Sequence, residues 1–308
     1  MSSQNIVLPK SLDFEAFGNF LQENNLWNMA EPHQLIRLET MGNEWIEPTP
    51  LAALAVALCE RKNKYQVEIA LNDFNGAKHP SYFERMGFFH LLNQKSPVSP
   101  KVHHDPSGRF IPLTVFDSLK EVDHLKKQAA GLLRLDKFID PFVTRALEEA
   151  MRNAVQHAGA GLRVVVAQRY PGPQARIQLA IVDSGMGIRA SLFNKSKFAV
   201  GDAERALILS VMPGVSGKLK KTGNDFEQNR GFGLHFLNRI VCETYGKFAL
   251  ATENYLRFQD GINTKFYRIK PIKGTILGIE LFEDYLEDFL SDLSFYEFNN
   301  QLIGEVPG

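Results

Sequence analysis

The chain has 308 residues, of which 44% are hydrophobic, and its 35 lysines and arginines balance 35 aspartates and glutamates. That length suits about two domains with substantial cores, and the composition is that of a globular protein, not a disordered one. A net charge of zero speaks against a broad electrostatic surface for nucleic acid or an anionic membrane. Two cysteines, Cys59 and Cys242, cannot build a disulfide framework, and no Cys/His cluster has zinc spacing. Each lies in an apolar helical pattern and reads as a small buried hydrophobe. The opening MSSQNIVLPK has no apolar signal core, and the longest apolar run, Leu51–Cys59, falls far short of the ~20 residues that cross a bilayer. The expectation is a soluble, cytoplasmic protein.

Along the first hundred residues, helical and strand-like patterns alternate. Leu12, Phe17, Phe20 and Leu21 fit one helix face, and Gln34–Glu39 alternates like a strand. Pro50–Lys62 reads as an Ala/Leu-rich helix opened by proline, where the missing N–H is harmless. Gln66–Leu71 predicts a second strand and His79–Leu92 an aromatic-rich helix, so residues 1–110 predict a small α/β domain. Ser96–Arg109, with three prolines and a glycine among polar residues, is the best linker candidate. Leu119–Leu135 follows as an amphipathic helix, which makes 111–140 a connecting stretch.

In the second half, Asp140-Pro141 opens a helix that runs to about Ala158 and stops at Gly159. Strands are predicted at Leu162–Arg169 and Ile177–Asp183 around the turn YPGPQ, a helix within Phe198–Met212, a helix over Gly233–Tyr245, and strands at Phe248–Asn254, Lys265–Ile269 and Thr275–Phe282. Residues 283–308 form an acidic, aromatic tail with helical character.

Four pieces carry chemistry. On the helix from Pro141, Glu149, Asn153 and His157 recur every four residues and stack into one polar stripe, while Val143, Leu147, Met151, Ala154 and Ala158 form an apolar one. The apolar strand Ile177–Val182 ends in Asp183, followed by Ser-Gly-Met-Gly-Ile; such an Asp can accept a hydrogen bond from a nucleobase amino group, and Gly185 and Gly187 let the backbone bend around a ligand. Asn229-Arg230-Gly231-Phe232-Gly233-Leu234 opens an apolar helix whose N–H groups suit phosphates. Gly274-Thr275 starts the last strand, where a hydroxyl can reach a base or a water.

In this order the pieces resemble the GHKL ATP-binding superfamily: ALEEAMRNAVQHA is similar to its N box, VDSGMGI to its first glycine box, and RGFGLHFLNRIV to its second. The resemblance covers about residues 125–282. It implies an α+β two-layer sandwich of the GHKL ATPase type over 141–282, preceded by the smaller α/β domain. It also implies ATP with Mg²⁺: Asn153 as the metal ligand, Glu149 as the carboxylate orienting the nucleophile, and Asp183 as the adenine reader. Gly185, Gly187 and Ile188 would lie beneath the base and Thr275 beside it. Arg230, Gly231, Phe232, Gly233 and Leu234 would cradle the phosphates, with His157 at a more variable N-box position. The segment Arg189–Arg230 would be a lid that closes over nucleotide.

The N-box wording is most similar to the anti-sigma-factor serine kinases and related bacterial regulators. WIEPTPLAALAVAL with SYFERMGFF resembles the STAS fold of their antagonist substrates; Thr49 lies nearest the hydroxyl position of that fold, although Pro50 departs from its pattern, and Thr49 reads better as the helix N-cap. Two functions stay open: an enzyme that hydrolyses ATP or transfers its γ-phosphate to a Ser/Thr of a partner protein, and a nucleotide-gated protein-binding module with little turnover. The intact Glu149 favours the enzyme. A regulatory protein partner is expected in either case, without a membrane and with direct nucleic-acid work disfavoured; the tail and the Leu119–Leu135 helix leave a homodimer open.

Overall fold

The structure is a computed structural model that describes residues 3–27, 34–40, 42–71, 74, 79–98, 105–133, 140–157, 159, 161–193, 200–215 and 233–292. The N-terminal part runs β1 (Ser3–Val7), β2 (Ser11–Leu12), α1 (Phe14–Glu23), β3 (Leu35–Glu39), β4 (Trp45–Ile46), α2 (Pro48–Tyr65), β5 (Glu68–Ala70), α3 (Pro80–Arg85) and α4 (Phe88–Leu91). Then follow β6 (Phe110–Val115), α5 (Leu119–Leu133), α6 (Asp140–His157), β7 (Arg163–Tyr170), β8 (Arg176–Asp183), α7 (Gly187–Phe193), α8 (Ala203–Ser210), α9 (Gly233–Glu243), β9 (Lys247–Thr252), β10 (Tyr255–Asp260), β11 (Asn263–Arg268), β12 (Thr275–Phe282) and α10 (Glu283–Asp292). The chain is thus mixed α/β.

Two sheets of opposite character result. β1, β3 and β5 pair in parallel in the order β1-β3-β5, whereas β11-β10-β9-β12-β8-β7-β6 form a seven-stranded sheet in which every pairing is antiparallel. Helices α5, α6 and α9 cover one face of the large sheet, with Val143, Leu147 and Met151 buried against Leu179, Ile181, Leu250 and Leu277. The apolar stripe of α6 therefore faces the core, and Gly159, at φ +67°, sits just past the helix.

The opposite face of the sheet is covered by α2. An antiparallel sheet with one wet face alternates polar and apolar residues, but Ile177–Asp183 is buried at every position. The reason is that Ala180 and Val182 share a core with α2, which packs on β7, β8 and β12. From Pro48 to Cys59 that helix is buried all round, as an Ala/Leu-rich helix without a polar stripe must be. A second, polar contact zone lies nearby. Glu280 accepts from Gln178 at 2.6 Å and pairs with Arg176 at 3.1 Å, while Lys247 bridges Glu280 and Glu15 at 3.6 and 3.0 Å.

Several expectations need revision. The helix of Pro50–Lys62 starts at Pro48, and the residue before it is Glu47, whose carboxylate turns away to accept from Phe14 N–H at 2.8 Å. Thr49 is therefore not an N-cap: it lies inside the first turn, fully buried, and fills the space above Gly278, where a Cβ would overlap its side chain. The helix of His79–Leu92 is two short helices, broken where Gly87 adopts φ +76°. Phe110–Val115 is an edge strand of the large sheet, in a stretch that reads as connection, and Tyr255–Asp260 is a further strand joined to β9 by the Glu253-Asn254 hairpin turn. Cys59 is buried, as its pattern implies, whereas Cys242 is half-buried.

Candidate functional site

Cross-strand register builds the centre of the site. Thr275 on β12 pairs with Thr252 on β9 and with Asp183 on β8, and Asp183 pairs with Arg163 on β7. Side chains alternate between faces, and all four residues share the parity of the leucines and isoleucines that face α5, α6 and α9. The result is a polar row, Thr252–Thr275–Asp183–Arg163, across one end of an otherwise apolar face.

Asp183 is the hub. It is buried, accepts a hydrogen bond from Gly185 N–H at 2.8 Å through Oδ1, and is hydrogen-bonded to Thr275. Burial pushes its carboxyl pKa up from the usual 3.8 to about 6, against the opposing pull of those two hydrogen bonds and the Arg163 charge. An acid in this environment is poised to meet a hydrogen-bond donor. Gly187 follows at φ +78°; a Cβ there would lie 2.6 Å from Thr252 Oγ1 and 3.2 Å from Gly274 O, so only glycine permits this turn. Ile188 N–H then donates to Thr252 Oγ1 at 3.1 Å, and that hydroxyl donates to Gly274 O at 3.1 Å. Gly274, at φ +87°, presses on Asp183 so closely that a Cβ would overlap the Asp183 carbonyl.

The second half of the site lies on α6 and α9. Glu149 and Asn153, one turn apart on α6, are both half-buried. Gly233, the first residue of α9, lies directly over Glu149: a Cβ there would come 2.8 Å from Glu149 Cβ and 2.9 Å from its carboxyl carbon. Leu234 is half-buried against the core beside it. The packing sets an expectation: Gly233→Ala should displace the Glu149 side chain or the first turn of α9 and lower the thermal transition by a few degrees. A melting curve beside a structure of the variant checks this; an unshifted Glu149 and an unchanged transition would show that the contact is loose.

Arg163 joins the two halves. Its Nε donates to Ala154 O at 2.9 Å, a second nitrogen donates to Gly159 O, and a third meets Asp117 Oδ1 at 2.7 Å. It thereby satisfies carbonyls at the C-terminal end of α6 and fixes the Asn153 end of that helix to the strand beside Asp183. The structure thus groups Asp183, Gly185, Gly187, Ile188 and Thr275 at the sheet, and Glu149, Asn153, Gly233 and Leu234 at the helix pair. Arg230, Gly231 and Phe232 lie outside the described residues, as does the side chain of His157. Thr252 and Arg163 are neighbours that sequence motifs alone do not single out, and Gly274 and Ser184 lie inside the motifs without a role assigned to them.

Among the described residues no group of three or more His, Cys, Asp or Glu side chains could hold a metal, and no helix is long and apolar enough to cross a membrane. A divalent ion held by one amide oxygen, waters and phosphates needs no such cluster, and Asn153 fits that donor set. Comparison of the chain with protein-family models and with curated proteins finds no match in either. The functional reading therefore stands on the residues and their geometry.

Proposed function

We propose that this protein is an ATP-binding regulator of the GHKL type that hydrolyses ATP or passes its γ-phosphate to a Ser/Thr of a partner protein. The observation that carries the reading is the buried Asp183 paired with the half-buried Thr275 beside the Gly185–Gly187 turn, with Glu149 under the first residue of α9 across the same face. In this reading Asp183 accepts from the adenine amino group, Thr275 offers its hydroxyl beside it, and Gly185, Gly187 and Ile188 form the wall beneath the base. The N–H groups opening α9, with Arg230, Gly231, Phe232, Gly233 and Leu234, cradle the phosphates. Glu149 orients the attacking water or hydroxyl. Bound Mg²⁺ would neutralise phosphate charge, with Asn153 as its protein ligand and His157 one turn further on.

The N-terminal part, read as STAS-like, is the surface offered to a regulatory protein. The deciding experiment is incubation with Mg²⁺ and ATP labelled on the γ-phosphate. Label released as phosphate identifies an ATPase, and label on protein identifies a kinase; both signals should vanish in Glu149→Ala. Absence of ATP binding in the wild type would overturn the reading, and binding without transfer would leave a nucleotide-gated module.

A further inference from the structure

The nucleotide reading leaves unused a contact between the N-terminal part and the site itself. Near its C-terminal end α2 presents Glu60, whose two carboxylate oxygens go to different places. Oε1 accepts from Ser184 Oγ at 2.7 Å, and Oε2 pairs with Lys273 Nζ at 2.8 Å. Ser184 directly follows Asp183, and Lys273 comes two residues before Thr275. Ser184 is fully buried and held a third way, because its Oγ accepts from Leu162 N–H at 2.9 Å while its own N–H donates to Leu162 O at 2.9 Å. Gly274, between Lys273 and Thr275, lies against Asp183 and Gly185. One side chain from the N-terminal part thus holds both segments that deliver the Asp183–Thr275 pair.

We propose that Glu60 is a positioning residue of the nucleotide site, bridging Ser184 and Lys273 so that nucleotide binding and the seating of α2 on the sheet depend on one another. The proposal rests on the nucleotide reading above and adds the route by which occupancy reaches the N-terminal part. The chemistry of the bridge suits the role. Burial alone would raise the Glu60 carboxyl pKa, but hydrogen bonds from Lys273 and Ser184 hold it below the usual range, so the bridge is charged at neutral pH. Linkage makes the effect reciprocal: whatever Glu60 contributes to nucleotide affinity, nucleotide contributes to the docking of α2.

The test is calorimetric titration of the full-length protein with Mg²⁺ and ATP, at a temperature where each variant is folded by its melting curve. Glu60→Ala should weaken ATP binding roughly ten-fold. Glu60→Gln, which keeps an oxygen for Ser184, should recover part of that loss. Lys273→Ala combined with Glu60→Ala should be little weaker than Glu60→Ala alone, because the Lys273 ammonium acts on the site through its pairing with Glu60. In hydrogen exchange, ATP should raise protection within residues 59–66 of the wild type and not of Glu60→Ala. A merely structural role would lower the melting temperature of Glu60→Ala and leave the affinity of the folded protein unchanged. Equal affinity for wild type and Glu60→Ala, or exchange in α2 indifferent to ATP, overturns the proposal with the nucleotide reading intact; a wild type that does not bind ATP overturns both.

Discussion

Asp183→Asn should bind ATP about 10- to 100-fold more weakly than the wild type and yet be the more stable protein at pH 7.5. The first effect follows from replacing an ionised acceptor, buried and aimed by Gly185 and Thr275, with an amide that offers a donor to a donor. The second follows from the carboxyl pKa, which burial raises from 3.8 to about 6. A raised acid pKa means that the folded protein holds the proton more tightly than the unfolded chain. Ionising Asp183 therefore destabilises the fold: the penalty is absent below about pH 4, grows as the pH rises through 4 to 6, and is complete above 6. Two pKa units correspond to about 3 kcal/mol, less whatever the amide fails to satisfy. The melting-temperature advantage of Asp183→Asn should accordingly be a few degrees at pH 7.5 and disappear near pH 4. ATP affinity of the wild type should fall as the pH drops below about 6, and that of the variant should stay flat. Unchanged ATP affinity in Asp183→Asn would remove Asp183 from the base-reading role. Weaker binding together with a more stable fold in one variant is the pair of outcomes expected where stability is given up for ligand recognition.

Glu149→Gln should leave ATP affinity within about three-fold of the wild type and reduce turnover by about 10²- to 10⁴-fold. The amide has the shape of the carboxylate, so the contact with Gly233 and the approach of α9 survive. What is lost is the negative charge that, in the function proposed above, orients and activates the nucleophile. Single-turnover rates beside equilibrium binding check the split. Loss of affinity in proportion to loss of rate would mean that Glu149 holds the helix pair together and takes no part in the transfer.

Much of the site can be read along the chain because its motifs are local. Asp183 at the end of an apolar strand, the glycines that follow it, the four-residue spacing of Glu149 and Asn153, and Gly233 at a helix start each announce themselves within a dozen residues. Arg163 does not. At the first position of an apolar strand it resembles a solvated strand end, and its value depends on register. That register appears only in the structure: in the hairpin around YPGPQ, Tyr170 pairs with Arg176, and counting seven residues away from the turn on each strand puts Arg163 opposite Asp183.

Elements outside the motifs were less legible, for a different reason. β10 is not predicted from the sequence; its Arg257 and Gln259 are buried on the helix-covered face of the sheet, with Gln259 joined to Asn238 of α9. Glu60 on a helix end looks like any surface acid until its partners, 124 and 213 residues away, are in place. The clue to the arrangement lies in two patterns read separately: a helix without a polar stripe and an antiparallel strand without polar alternation. Each lacks a wet face, and each supplies the other's cover.

The wiring of the large sheet bears on how the chain is made. β12 occupies the middle of the seven strands and is the last of them to be synthesised. Until it leaves the ribosome, β6–β8 and β9–β11 are two separate antiparallel ladders, and α2 has only part of the surface that buries it. At about 5–20 residues per second, the stretch from α2 to β12 takes on the order of tens of seconds to synthesise, during which the Pro48–Cys59 part of α2 waits for its partner. Long-range closure of this kind is slow and exposes apolar surface. The seven-stranded sheet, and with it the full cover of α2, is therefore closed only once β12 has been made.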